Sequence, residues 1–584
     1  MKNNKVYMGL TLLSMMLVAC GGTPAGSSSS AATASSESKT ESSSTTTVVS
    51  SSSSSDAYAG YKKLTDFPRG KTTYVDGNGK EQVLSRRNLE TNAGTPCLTP
   101  LGEQRILVVP LGLDDDPEPK GKNEPYPGVS QSGRTEKQTK ERLQQIYNLF
   151  FGDKKDTGWE SVKSYYETSS FGQCTITGNM MLQDGDWWRP GKKPKEYSST
   201  QALRDIKTYY TTEYPKENHG QLGADAKPWE WYDQDKDGYI DTIWIVYSAA
   251  IHASETSPSG NNYWAYVSRT GNSANKASPN PMCYAWASID FMDEAYGEGM
   301  DSHTFTHETG HIFGIDDYYS YDQKETPLGG IDMQDNNISD QNAFSKWQFG
   351  WVSPYVVDDN AYIEMGPTTT TGDFVIIPSP NFNGTCYDEY FMIEFMSPVG
   401  LCEQDYKKGY QNLTGYTKPG LRITHVDGRT CQRSNSDAAF STPEEVAKKS
   451  TRMRVMNTPS GRGSVQKDTF DNPLTETKRS MYMINTIQAS GFDADKNLLK
   501  STEKSTNADL FVKGFSFDLA PYYDAKLGKD FNDYYYFMPS YSNLWNKAQD
   551  TVTREINEDW TMDFSVSVLD VDKEHVKFVI EKNA

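Results

Sequence analysis

Residues 303–319 read HTFTHETGHIFGIDDYY. His307 and His311 stand four apart, so on a helix both imidazoles share one face and can reach a single ion. Glu308 follows the first histidine, where its carboxylate can reach a water on that ion. Gly314, three residues beyond His311, can take the left-handed conformation that ends a helix and reverses the chain. The reversal brings Asp317 back as a third ligand; its neighbour Asp316 lacks the spacing. Two imidazoles and one carboxylate leave a coordination position open, which marks a catalytic zinc site rather than a closed structural one. His303 lies on the same helical face and is expected to be structural or to support the ligands from behind.

That donor set predicts hydrolysis. A zinc ion lowers the pKa of its water to about 7 and polarises a carbonyl. Glu308 is expected to take the water's proton and pass it to the leaving group. Tyr318 and Tyr319 are near enough in sequence to hydrogen-bond an oxyanion, and Tyr319 is taken as the candidate.

The rest of the chain sets the context. Its 584 residues exceed what one core usually holds, and 36% hydrophobic with 23% charged residues is a globular composition. A formal charge of −20 argues against binding nucleic acid or an anionic lipid surface. Residues 1–19 read as a lipoprotein signal peptide: Lys2 and Lys5, a short apolar run, then LVAC. Cys20 is the expected lipid attachment, placing the protein on the extracellular face of a bacterial membrane, anchored by lipid alone. The six later cysteines include no CxxC pair, and the 15 pairings they allow stay open.

Residues 20–57 form a Ser/Thr-rich tether with too little apolar surface to fold. Residues 58–100 are a segment read as a propeptide or a strap. RILVVPLGL (105–113) and DTIWIVYSAA (241–250) are buried-strand candidates. Leu143, Ile146, Tyr147 and Phe150 mark one helix, 159–167 a second, and QCTITG a short strand. The Gly/Ser/Asn-rich stretch 255–281 reads as loops. Beyond Pro380 strand-like runs alternate with turns, ending in a hairpin around DVDK. The division is therefore 101–380, α/β, and 381–584, β-rich.

DQDKDGYID (233–241) places Asp233, Asp235, Asp237, Gly238 and Asp241 at positions 1, 3, 5, 6 and 9 of an EF-hand-type loop. Alternating carboxylates, with the Tyr239 carbonyl, suit a structural calcium ion. Position 12 is Trp244 and a strand follows, so this is not a true EF-hand. His425, alone in RITHVD, reads as structural.

The motif at 307–319 resembles that of the immune inhibitor A family of bacterial metallopeptidases, relatives of the metzincins. GGIDMQDNN (329–337) and AFSKWQFGWVSP (343–354) are similar to that family's methionine turn and the segment after it. By that resemblance Met333 packs beneath the zinc without binding it. RILVVPLGLDDDP, VKSYYETSSFGQCTITG, YDQDKDGYIDTIWIVYSAAIHA, DEYFMIEFM and PGLRITHVD extend the likeness over roughly residues 100–580, with gaps. Asp316 stands where the family often has Pro, and 255–281 has no counterpart.

The resemblance implies a zincin-like α/β (α+β) catalytic domain with a Met-turn and a β-rich, sandwich-like C-terminal domain. It implies a zinc-dependent metalloendopeptidase cutting extracellular proteins or peptides; the chain is expected to be a monomer. The rival expectation is a catalytically silent surface adhesin on the same fold; the intact Glu308 speaks against it.

Overall fold

The computed structural model describes residues 56–75, 81–83, 98–114, 136–193, 197–249, 263–292, 300–315, 317–319, 328–335, 340–378, 382–386, 388–407, 415–427, 432–433, 453–454, 484–487, 489, 505–518 and 564–582. The signal peptide, Cys20, nearly all of the tether, Cys97, Asp316 and Cys431 lie outside them.

The strand Gly102–Leu111 has side chains that alternate between two apolar clusters, and that alternation organises the first half of the chain. Ile106 and Val108 face one way; Leu107, Val109 and Leu111 face the other. The strand is an inner one, second in a sheet ordered Cys174–Met180, Gly102–Leu111, Ile243–Tyr247, Cys283–Ser288, Tyr266–Arg269. The first four strands run parallel and the last antiparallel. A parallel sheet of this kind needs cover on both faces. Helices Glu136–Phe151, Val162–Ser169 and His303–Phe313 supply one layer, through Leu143, Phe150, Tyr166, Phe305 and Ile312. Helix Ser199–Thr212 supplies the other, through Leu203, Ile206 and Tyr210.

The stretch 255–281 departs from the loop reading. Its described part holds Tyr266–Arg269, the antiparallel edge strand, and Asn280–Pro281, which pairs in parallel with Tyr239–Ile240. Glycine and serine made it look irregular, but an edge strand needs hydrogen bonds to one neighbour only.

In the second half one sheet is ordered Tyr355–Val356, Val375–Pro378, Glu389–Met396, Gly420–Asp427, Ile484–Ile487. Another is ordered Ala361–Met365, Val576–Lys582, Phe564–Val571, Ser516–Asp518. Side chains of both, among them Ile393, Ile423, Val566 and Phe578, form one apolar cluster between them. Sheet membership thus changes near residue 352 rather than at 380. Three strands before Pro380 are short, and Ala361–Met365 finds its partner only at Val576–Lys582, beyond the reach of local composition.

Lys62–Ala584 is one compact unit and Met1–Tyr61 another, whose described residues include the short turn Asp56–Tyr58. Within the larger unit, residues 62–71 lie along the second half as a strap. Tyr362 N donates to Lys62 O at 2.9 Å, Val356 N to Pro68 O at 2.9 Å and Gly70 N to Pro354 O at 2.9 Å. Leu64 and Phe67 enter the inter-sheet cluster, and Trp347 Nε1 donates to Lys71 O at 2.8 Å. Among the described residues no helix is long and apolar enough to cross a membrane. Cys174, Cys283, Cys386 and Cys402 are all buried.

Candidate metal centre

Helix His303–Phe313 is fixed by its inward face. Phe305, Ile312 and Phe313 are buried in the core, Tyr166 Oη donates to Thr306 O at 2.9 Å, and Trp244 Nε1 donates to Thr309 Oγ1 at 3.1 Å. Gly314 ends the helix at φ 105°, its N–H shared between the Gly310 and His311 carbonyls. A side chain is strained at that φ, which is the local reason for glycine. The chain then reverses and Asp317 returns to the helix.

The return brings the three expected ligands together. Asp317 Oδ1 is 2.9 Å from His307 Nε2 and 3.2 Å from His311 Nε2, and one ligand atom from each residue lies within 4.8 Å of the others. The opposite ring nitrogens are also held: His307 Nδ1 is 2.7 Å from Met333 O and His311 Nδ1 is 2.7 Å from Ile315 O. A carbonyl only accepts, so each Nδ1 donates and each Nε2 is left aimed at the shared point. This is the orientation a metal-ligating histidine takes, and the donor set suits zinc.

The electrostatics point the same way. Burial lowers the His311 imidazole, but the charge and hydrogen bond of Asp317 outweigh it and pull it up to about 10. Burial pushes Asp317 up, yet His311 and His307 hold it well below the ordinary carboxylate range. A divalent ion bound in this nitrogen–oxygen pocket would have to displace the proton that the pair shares. Glu308, buried on the next helical position, has its carboxyl raised by burial; His311 and His307 lower it and Asp317 raises it further.

Met333 is fully buried and offers its carbonyl, not its sulfur, to His307. Tyr319 stacks beside the His307 ring, centroids 6.4 Å apart. Tyr318 turns away: its hydroxyl pairs with Ser345 Oγ at 2.5 Å and its N–H donates to Gln334 O at 2.8 Å. His303 is buried, 5.7 Å from the His307 ring.

Two features had no sequence signal. The Ile315 and Met333 carbonyls orient the imidazoles, and a backbone carbonyl carries no residue identity. Gln334 Nε2 donates to His307 O at 3.1 Å, and an added Cβ on Gly310 would fall 2.2 Å from Gln334 Oε1, so the turn and helix are in close contact.

The acidic loop also closes on itself. Carboxylate oxygens of Asp233, Asp235 and Asp237 lie within 4.8 Å of one another. Asp233 accepts the N–H groups of Asp237 and Gly238, at 3.0 and 3.1 Å. Asp241 stands outside this group: its Oδ2 accepts Gln234 N at 3.1 Å, and burial, with the other three carboxylates, pushes it up to about 8. Tyr239 sits on the short strand pairing with Asn280, its hydroxyl donating to Asn272 O at 3.2 Å. His425 lies on the Gly420–Asp427 strand, its ring 5.4 Å from that of Phe391, in the second half.

No protein-family model matches this chain, and no curated protein does.

Proposed function

We propose that this chain is a zinc-dependent metalloendopeptidase of the bacterial cell exterior, anchored by lipid on Cys20, with Glu308 as its general base. The observation that carries the reading is the paired fixing of His307 and His311: each Nδ1 is spent on a carbonyl and each Nε2 faces Asp317. His307, His311 and Asp317 would hold the ion. When bound, zinc supplies an acidified water and a polarised substrate carbonyl.

This chain's own residues supply the proton traffic. The Glu308 carboxyl, raised by burial, is tuned to accept a proton from that water and return it to the leaving nitrogen, worth about 10²–10⁴-fold in rate. The Tyr319 ring lies against His307, within reach of a role beside the substrate's oxygen. Asp233, Asp235 and Asp237 support a structural calcium ion, bracing a loop that leads into the central sheet. We read the active form as a monomer.

The test is metal content by mass spectrometry on residues 58–584, with cleavage of a denatured protein by wild type and Glu308→Ala side by side. One zinc per chain, with cleavage lost both in Glu308→Ala and on chelation, is expected. A folded sample without zinc refutes the reading. One zinc with no cleavage of any protein substrate favours a silent binding protein.

A further inference from the structure

The turn that carries Met333 is not held by the first half of the chain alone. Arg422 and Glu394, on adjacent strands of the second half, form a buried pair: Arg422 Nε and one terminal nitrogen donate to Glu394 Oε2 at 3.0 and 2.8 Å. The other terminal nitrogen leaves the pair and donates to Ile331 O at 3.0 Å, two residues before Met333. The second Glu394 oxygen accepts Ala343 N at 2.8 Å. Asn342, next to it, donates through both its backbone and its side chain to Asp332 Oδ2. The turn is therefore gripped at Ile331 and Asp332, and it presents the Met333 carbonyl to His307 Nδ1 at 2.7 Å.

A buried ion pair is poor evidence of stabilisation in itself, because apolar side chains of similar volume often serve as well. What apolar side chains lack is the third donor, directed out of the pair and onto a backbone carbonyl. A guanidinium has that fork; an ammonium does not. The placement makes sense as a device that fixes the turn, and through it one imidazole.

We propose that Arg422 and Glu394 are positioning residues for the metal site, so that the second half of the chain is part of the metal centre and not an appended module. This rests on the reading that His307, His311 and Asp317 hold zinc. Loss of an outer partner that orients a ligand commonly weakens a metal site about 10–100-fold.

The experiment uses residues 58–584 and compares wild type, His311→Ala, Arg422→Lys and the double replacement Arg422→Met with Glu394→Met. Zinc affinity is read by chelator competition, and ligand geometry by the visible absorption of the cobalt-substituted protein. The double variant is expected to melt near the wild type yet bind zinc about 10–100-fold more weakly, with a shifted cobalt spectrum. Arg422→Lys is expected to fall in between; it also decides the matter if the double variant does not fold. A folded variant with wild-type zinc affinity and cobalt spectrum overturns the inference and leaves the zinc site standing. Wild type that binds no zinc, or His311→Ala that binds it equally well, overturns the site and the inference together.

Discussion

Replacing Gly314 by alanine tests the reversal that delivers Asp317. Gly314 sits at φ 105°, outside the narrow left-handed well of L-residues near +50 to +70°. Holding a side chain there costs about 1–3 kcal/mol. Without metal the turn can relax and shed part of that strain, in which case zinc must restore it and affinity falls. If the turn stays put, affinity holds and the metal-free protein loses stability instead. The thermodynamic cycle removes the ambiguity: relative to the unfolded chain, the zinc-loaded form carries the whole strain either way. Urea unfolding at saturating zinc should therefore place Gly314→Ala about 1–3 kcal/mol below wild type. Gly314→Asn should lose less, since asparagine tolerates left-handed backbone better. A zinc-loaded Gly314→Ala chain as stable as wild type would refute the claim that this turn holds Asp317 in place.

Other outcomes follow from particular contacts. An added Cβ at Gly70 would meet Trp347 Cζ2 at 2.6 Å and Pro354 at 2.8 Å, so Gly70→Ala should lower stability by about 1–3 kcal/mol in thermal melts; an unchanged melt would mean that the strap is not packed as described. Burial raises the Asp332 carboxyl to about 6, above its unfolded value, so its contribution to stability is full below about pH 4 and fades as pH rises through 6. In chelator, the stability gap between wild type and Asp332→Asn should thus narrow from pH 4.5 to 6.5; a constant gap would show no such shift. Calcium should raise the melting temperature of wild type and not of Asp235→Asn, with about 2.7 kcal/mol of stabilisation at a hundred times its Kd; equal responses would remove the acidic loop as the site.

What could be read from sequence was local. His307, His311, Gly314 and Asp317 lie within one helix and one turn, so spacing alone predicts the convergence of the three ligand side chains. The apolar, β-branched run at 105–113 marks the strand Gly102–Leu111, and the apolar periodicity of residues 143–150 marks the helix Glu136–Phe151. The Ser199–Thr212 helix was missed although Leu203, Ile206 and Tyr210 recur at helical spacing. Other misses are non-local. Ala361–Met365 has its partner beyond residue 575, and the Ile331 carbonyl finds its donor at Arg422. Asp241 has suitable EF-hand spacing, but only Asp233, Asp235 and Asp237 bring carboxylate oxygens within 4.8 Å of one another, a distance that spacing does not encode.

The turn at 328–335 is also clasped by Ser505, whose N–H donates to Gly329 O at 2.8 Å and whose hydroxyl donates to Leu328 O at 3.0 Å. That gives the order of synthesis a meaning. A ribosome delivers Asp317 about 190 residues before Ser505, roughly 10–40 s at 5–20 residues per second. Arg422 follows Asp317 by about 105 residues, so both histidines are made before either residue that clasps the turn aiming His307, and Ser505 comes last. The turn that orients His307 thus gains its full set of holds only when nearly the whole chain has been made.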